Sequence, residues 1–302
     1  MSVQPTRQEG PEIPRPDRET FAPTPDGALY VRVNGDLDSG AAPVLMIHGG
    51  PGGHHGAHVT CLDLAADRAV ILYDQLDCGR SDHPGDPALW SVARFAQEIE
   101  AVRRHLCVDR LHLLGHSWGA ALALDHAVRR PETVCSLILA SPYVSTRSWE
   151  ASTSALLADF PASVRDALWA PRSASPEALR AAMGAFYARH WMRSRPSNAV
   201  KAYAADLPFN DALYGALWGA TEARVDGALQ VYDAERLLGR LAVPTLLVAG
   251  EHDEMSPAAC RQLADGLPGA ETAVVAGAGH MLQIDNPQDY VAILRRWLAA
   301  RD

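Results

Sequence analysis

Residues 111–121 read LHLLGHSWGAA. Leu111, Leu113 and Leu114 form an apolar run short enough for a buried strand, and residues 120–129 read as a helix. Between them stands Gly115-His116-Ser117-Trp118-Gly119. Strand, Gly-x-Ser-x-Gly, helix is the context in which this pattern makes a nucleophile elbow. The turn is so tight that the residues two places either side of the serine must lack side chains, a need that Gly115 and Gly119 meet. The Ser117 hydroxyl then stands free at the carboxyl end of the strand, where ligands bind in open α/β sheets.

Outward from the elbow, strands are expected at 28–34, 44–47, 69–73, 134–139, 243–249 and 271–275. The first of these, ALYVRVN, alternates as a half-exposed edge strand should. Helices are expected at 91–106, with Phe95, Ile99, Val102 and Leu106 on one face, and at 287–299. Alternating strands and helices imply an α/β fold with a mostly parallel sheet flanked by helices. From 143 to 240 the strand runs vanish, and Trp, Ala, Leu and Arg recur at helical spacing broken by prolines. The expected division is a flexible polar arm at 1–20, a core at 21–142 and 241–302, and an all-helical cap at 143–240.

A serine nucleophile needs a base and an acid, and in an elbow protein the acid precedes the histidine in the chain. Asp253 follows the 243–249 strand and His280 follows the 271–275 strand on a glycine-flanked loop. Ser117, Asp253 and His280 thus stand in the expected order. His280 would take the serine's proton, and Asp253 would fix the imidazole's tautomer. The glycine-rich loop His48-Gly49-Gly50-Pro51-Gly52 would supply one amide of an oxyanion hole, that of Gly50, beside the amide of Trp118. Such a donor is typically worth about 3–4 kcal/mol in the transition state. His54, His55 and His58 follow closely, but no carboxylate completes a metal motif, so they read as solvated loop histidines near the mouth and no metal is expected.

Composition narrows the class further. The chain has 302 residues, 48% of them hydrophobic, enough for a sizeable core without disulfides or metals. A net charge of -9 gives no reason to expect nucleic acid or an anionic membrane as partner. Five cysteines are scattered without a C-x-x-C pair and read as reduced thiols. No basic-then-apolar leader pattern or membrane-length run is present, so a cytoplasmic protein is expected. Oligomeric state is left open by the sequence.

At this point the sequence resembles the proline iminopeptidase family of the α/β-hydrolase superfamily. The residues that carry the likeness are His48-Gly49-Gly50-Pro51-Gly52, Asp74-Gln75 through Cys78-Gly79-Arg80-Ser81, and Gly115-His116-Ser117-Trp118-Gly119. The resemblance implies release of an N-terminal amino acid, preferably proline, from short peptides or amino-acid amides through an acyl-enzyme, without a cofactor. It also implies that carboxylates hold the substrate's free amine, and here Glu222 in the cap and Glu254 beside Asp253 match them. Tyr214 and Trp218, close to Glu222, are the candidate pocket walls for a proline-sized ring. Two positions depart from the family, Asp77 where glycine is usual and Ala223 where an aromatic is usual, and both fall in regions expected to face the substrate. The alternative reading is an esterase, lactonase or amidase of the same fold, acting on a small secondary metabolite without a free-amine requirement. A non-catalytic receptor that kept the pocket is a third class, against which the complete triad speaks. Epoxide hydrolases and haloalkane dehalogenases need a carboxylate nucleophile, and position 117 is serine.

Overall fold

The structure, a computed structural model that describes residues 12–302, sets the 111–116 run inside an eight-stranded sheet. The strands are β1 (Arg18–Thr24), β2 (Gly27–Asn34), β3 (Val44–Ile47), β4 (Val70–Tyr73), β5 (Leu111–His116), β6 (Val134–Ala140), β7 (Thr245–Gly250) and β8 (Glu271–Val275). They lie in the order β1-β2-β4-β3-β5-β6-β7-β8. The β1–β2 and β2–β4 pairs are antiparallel and every other pair is parallel. Parallel strands covered on both faces read as unbroken apolar runs, and VLMI in β3 and VILY in β4 are buried throughout.

One face of the sheet, with Leu45, Ile47 and Leu113, is covered by α1 (Val92–His105) and α2 (Trp118–Arg129). The other, with Val44, Met46 and Leu114, packs on a 3-10 segment, His55–Ala66, and on the C-terminal helix. Between β6 and β7 the chain forms α3 (Thr146–Leu157), α4 (Ala162–Trp169), α5 (Pro176–His190), α6 (Asn198–Ala204), α7 (Asp211–Leu217) and α8 (Glu235–Leu238). After β7 come α9 (Pro257–Asp265), α10 (Leu282–Asp285) and α11 (Pro287–Ala299). Among the described residues, no helix is long and apolar enough to cross a membrane.

Two expectations from the sequence are corrected here. Residues 1–11 of the segment read as an arm lie outside the described residues, but Arg18–Thr24 of its remainder and beyond is a strand, paired along its length with β2. Its charges and Pro23 hid it, yet an edge strand tolerates both. β2 is consequently not an edge strand, and its apparent alternation has another cause. Arg32 and Asn34 are buried with partners: Arg32 Nε donates to Asn34 Oδ1 at 2.8 Å and Arg32 Nη1 to the Tyr203 hydroxyl at 2.8 Å.

Glu98 on α1 is also wholly buried, beneath the loop after β4, where it accepts from the Leu76 amide and from Arg94 Nη1 at 3.3 Å. Burial pushes its pKa up to about 8. The unfolded chain releases that proton near pH ~4.3, so the folded state binds more protons between the two values and stability falls as the pH rises through this window. In Glu98→Gln the fall should be much smaller, read as urea midpoints at about pH 5 and about pH 8. An unaltered pH dependence would assign it to other groups.

Candidate active site

Ser117 sits at the β5–α2 junction with φ 55° and ψ −121°, a conformation that costs a non-glycine residue of order 1–3 kcal/mol. The flanking glycines make it possible. A Cβ at Gly115 would lie 2.3 Å from the Gly119 carbonyl oxygen, and one at Gly119 would lie 2.3 Å from that of Ile47. Two backbone bonds clamp the turn, Ser117 N–H to Ala140 O at 2.9 Å and Tyr143 N–H to Ser117 O at 3.2 Å.

Asp253 follows β7 and is wholly buried. Its Oδ1 lies 2.9 Å from His280 Nδ1 and 3.1 Å from the Met255 amide. Its Oδ2 accepts from Ser141 Oγ at 2.5 Å and from the Gly250 amide at 3.1 Å. With every lone pair directed, the carboxylate can hold the ring only one way, with Nδ1 as donor. The backbone of His280 is pinned as well: its amide donates to His190 O at 2.8 Å, and its carbonyl lies 3.1 Å from Ser141 Oγ and 2.9 Å from His116 Nε2. Ser117 Oγ makes no hydrogen bond to His280 here, although both line one cavity. Catalytic bonds of this kind often tighten only with substrate in place.

The glycine-rich loop and Trp118 are braced by a residue whose motif the sequence reading quoted without giving it a role. Gln75 Nε2 donates to His48 O at 2.9 Å, and its Oε1 accepts from Trp118 Nε1 at 2.8 Å. Gln75 thus ties the loop after β3 to the first residue of α2. The Trp118 amide, at the helix start, has no acceptor within the helix. Among the described residues the Gly50 amide makes no backbone hydrogen bond either, and Gly50 lines the cavity. Both are available as donors to a ligand oxygen.

The cavity measures about 320 Å³ and holds Gly50, Ser117, His280, Tyr214 and Glu222 on its walls. Glu222 is half-buried on a turn held at three successive carbonyls: Trp218 Nε1 donates to Thr221 O, Trp149 Nε1 to Glu222 O, and Thr153 Oγ1 to Ala223 O. Tyr214 donates its hydroxyl to Glu222 Oε1 at 2.7 Å. Burial raises the Glu222 pKa, opposed by His280 and by the Tyr214 bond. Glu254 is placed differently from expectation. It does not line the cavity, is wholly buried, and neither carboxyl oxygen has a protein partner among the described residues. Burial pushes its pKa well up, and the negative charges of Glu222 and Asp253 push the same way.

Trp218 is not a pocket wall: it is wholly buried against Tyr143 and Trp149, and its indole serves as a strut for the Glu222 turn. The walls include instead Phe209 and Trp191, which helical spacing alone could not distinguish from cap core. Asp77 takes φ 63°, open to glycine without strain, and its carboxylate faces Gly85 N and Trp90 Nε1, both at 2.8 Å, while Ala223 is buried in the cap core. Neither departure from the family lines the cavity. His55 and His58 are buried rather than solvated; His55 bridges Asp74 Oδ1 at 2.8 Å and the Tyr203 hydroxyl at 2.7 Å. His54 caps the 3-10 segment and lines the cavity. No group of three metal-binding side chains occurs among the described residues.

Known proteins share the fold. A family model described as the alpha/beta hydrolase fold matches residues 42–287. A proline iminopeptidase of Levilactobacillus brevis is 35% identical over 292 residues, covering 94% of this chain and 97% of that protein. Among solved structures, VinJ superposes with a TM-score of 0.87 at 31% identity, covering 95% of this chain and 100% of that one. The proline iminopeptidase of Mycobacterium smegmatis gives a TM-score of 0.83 at 31% identity, covering 94% and 98%.

Proposed function

The chain belongs to the α/β-hydrolase fold and, within it, to the proline iminopeptidase family, and from that premise we propose that it releases an N-terminal amino acid, preferably proline, from short peptides or amino-acid amides. In this reading Ser117 Oγ attacks the carbonyl while His280 Nε2 takes its proton. Asp253 holds the ring and stabilises its charged form. The amides of Gly50 and Trp118 receive the oxyanion. His280 then protonates the departing amine, and water admitted to the cavity hydrolyses the acyl-enzyme on Ser117 by the reverse proton path.

The observation that carries the proposal is the carboxyl pair. Glu222 lines the serine's cavity and Glu254 is wholly buried, and no salt bridge joins either to a cation among the described residues. A buried carboxyl without a partner is costly, and an α-ammonium group of the substrate supplies the missing charge. Glu222 would take the ammonium directly, and Glu254 would add the second negative charge. Tyr214, held by Glu222, and Phe209, whose ring centroid lies 5.5 Å from that of Tyr214, offer flat apolar surface for a pyrrolidine ring. The cysteines among the described residues are free, which suits the cytoplasm as the place of action.

Side-by-side hydrolysis of prolyl-, alanyl- and leucyl-p-nitroanilide and of p-nitrophenyl acetate tests the reading. Prolyl should lead the anilides by about tenfold or more in kcat/KM. Turnover of the ester with none of the anilides would point to the esterase alternative instead.

A further inference from the structure

The carboxyl pair accounts for the polar groups where the acyl part of a substrate would lie. It leaves unexplained a second buried polar group on the same cavity. Gln283 on α10 lines the cavity together with Met281 and Ile284. It is wholly buried, and neither Oε1 nor Nε2 has a protein partner among the described residues. A buried primary amide with no partner is costly to desolvate, so its position calls for a ligand.

Glu222 stands in the cap between α7 and α8, whereas Gln283 stands on α10, just after His280 in the chain. The His280 ring meets Trp149 at 5.5 Å, and Trp149 donates to the Glu222 carbonyl. The same ring meets His116 at 4.9 Å, and His116 meets His58 at 5.8 Å. His58 belongs to the 3-10 segment on which α10 packs, and its Nδ1 is likewise without a partner among the described residues. Glu222 and Gln283 thus enter the cavity from different parts of the fold, the cap and the turn that follows the histidine that would protonate the leaving amine. With the acyl amine held at Glu222, the Gln283 end is left for the leaving group.

We propose that Gln283 is a specificity residue for the leaving group, and that its carboxamide reads a neutral amide located beyond the scissile bond. The inference rests on the aminopeptidase reading above. The chemistry of the wall selects the class. A carboxamide offers both a donor and an acceptor, which a second amide satisfies reciprocally. A carboxylate has no donor for Oε1, and among the described residues no Lys or Arg lines the cavity to neutralise it. His58 supplies no charge, since burial holds its pKa well down. A leaving group without polar atoms would leave the carboxamide unpaired, a form of rejection that hydrogen-bonding pockets make strong. The favoured substrates are accordingly aminoacyl amides whose leaving part ends in a carboxamide or continues as a peptide bond, in preference to free dipeptides.

The test compares kcat/KM for prolyl-glycinamide and prolyl-glycine in the wild-type protein and in Gln283→Leu and Gln283→Met, with melting temperatures to check folding. The wild type should favour the amide by about tenfold or more. Both variants should bring that ratio to within about twofold of unity. A merely structural Gln283 would depress both substrates alike and leave the ratio intact, which overturns the proposal, as does a wild type with no preference. Failure to cleave prolyl-p-nitroanilide at all would sink the aminopeptidase reading and this inference together; cleavage of the anilide with equal rates on the pair would sink the inference alone.

Discussion

Ser117→Ala should abolish turnover of prolyl-p-nitroanilide, with kcat lower by about a millionfold, the scale seen when a triad serine is removed. The proposed mechanism routes the acyl group through Ser117, the one serine among the described residues that line the cavity; the Tyr214 hydroxyl there is engaged by Glu222. Ser141, the other serine at the site, is wholly buried and directs its Oγ to Asp253 and to the His280 carbonyl. The substitution leaves the elbow's packing intact, because its tightness is set by Gly115 and Gly119. The melting temperature should not fall. A fluorophosphonate should label the wild type at Ser117 and should not label the variant. Residual kcat within about a hundredfold of wild type would mean another nucleophile.

Glu222→Gln should lower kcat/KM for free-amine substrates by about 10–150-fold, the worth of one charge-assisted hydrogen bond of about 1.5–3 kcal/mol, and Glu254→Gln, which removes only the second charge behind it, should lower it by less. The pH dependence carries further information. Burial raises both carboxyl groups above their ordinary range, and for Glu254 the charge of Glu222 adds to the effect. Two nearby carboxyls cannot readily ionise together in a buried site, so the free pair keeps a proton that an arriving ammonium must displace. kcat/KM should rise with pH as the pair loses that proton, until the substrate's own amine deprotonates. Glu254→Gln should remove the rising limb that belongs to the pair. Activity of both variants equal to wild type on free-amine substrates would leave the pair without a role in binding.

The elbow was legible because its chemistry is local. Tight turns need glycine at fixed offsets, and the parallel strands around it are continuous apolar runs. β1 was not legible, since an edge strand need not be apolar and Arg18, Glu19 and Pro23 disguised it. Asp253 and His280 could be read from order and from their places after strands, and the structure joins them at 2.9 Å. The cap was harder. Trp218 and Trp191 share helical surroundings in the sequence, yet one is a wholly buried strut and the other a cavity wall. Which face of a short helix meets the cavity depends on contacts far apart in the chain, such as the Trp149–Glu222 bond across 73 positions. Asp77 and Ala223 misled for a related reason: each lies next to site residues in sequence but turns its side chain away from the cavity. Gln75 stands in a motif that does not reveal what it braces, and Gln283 stands in none, so the role of each rests on hydrogen-bond partners that only the folded chain brings near or withholds.

Under the proposed function the serine's cavity demands a free α-amine. The most direct measurement is the ratio of kcat/KM for prolyl-p-nitroanilide over N-acetylprolyl-p-nitroanilide on the wild-type protein. Loss of the charge-assisted bond between the ammonium and Glu222, worth about 1.5–3 kcal/mol, sets the expected ratio at about 10–150-fold. Equal rates on the two substrates would contradict it, leaving a serine hydrolase of this fold with no requirement for an amine.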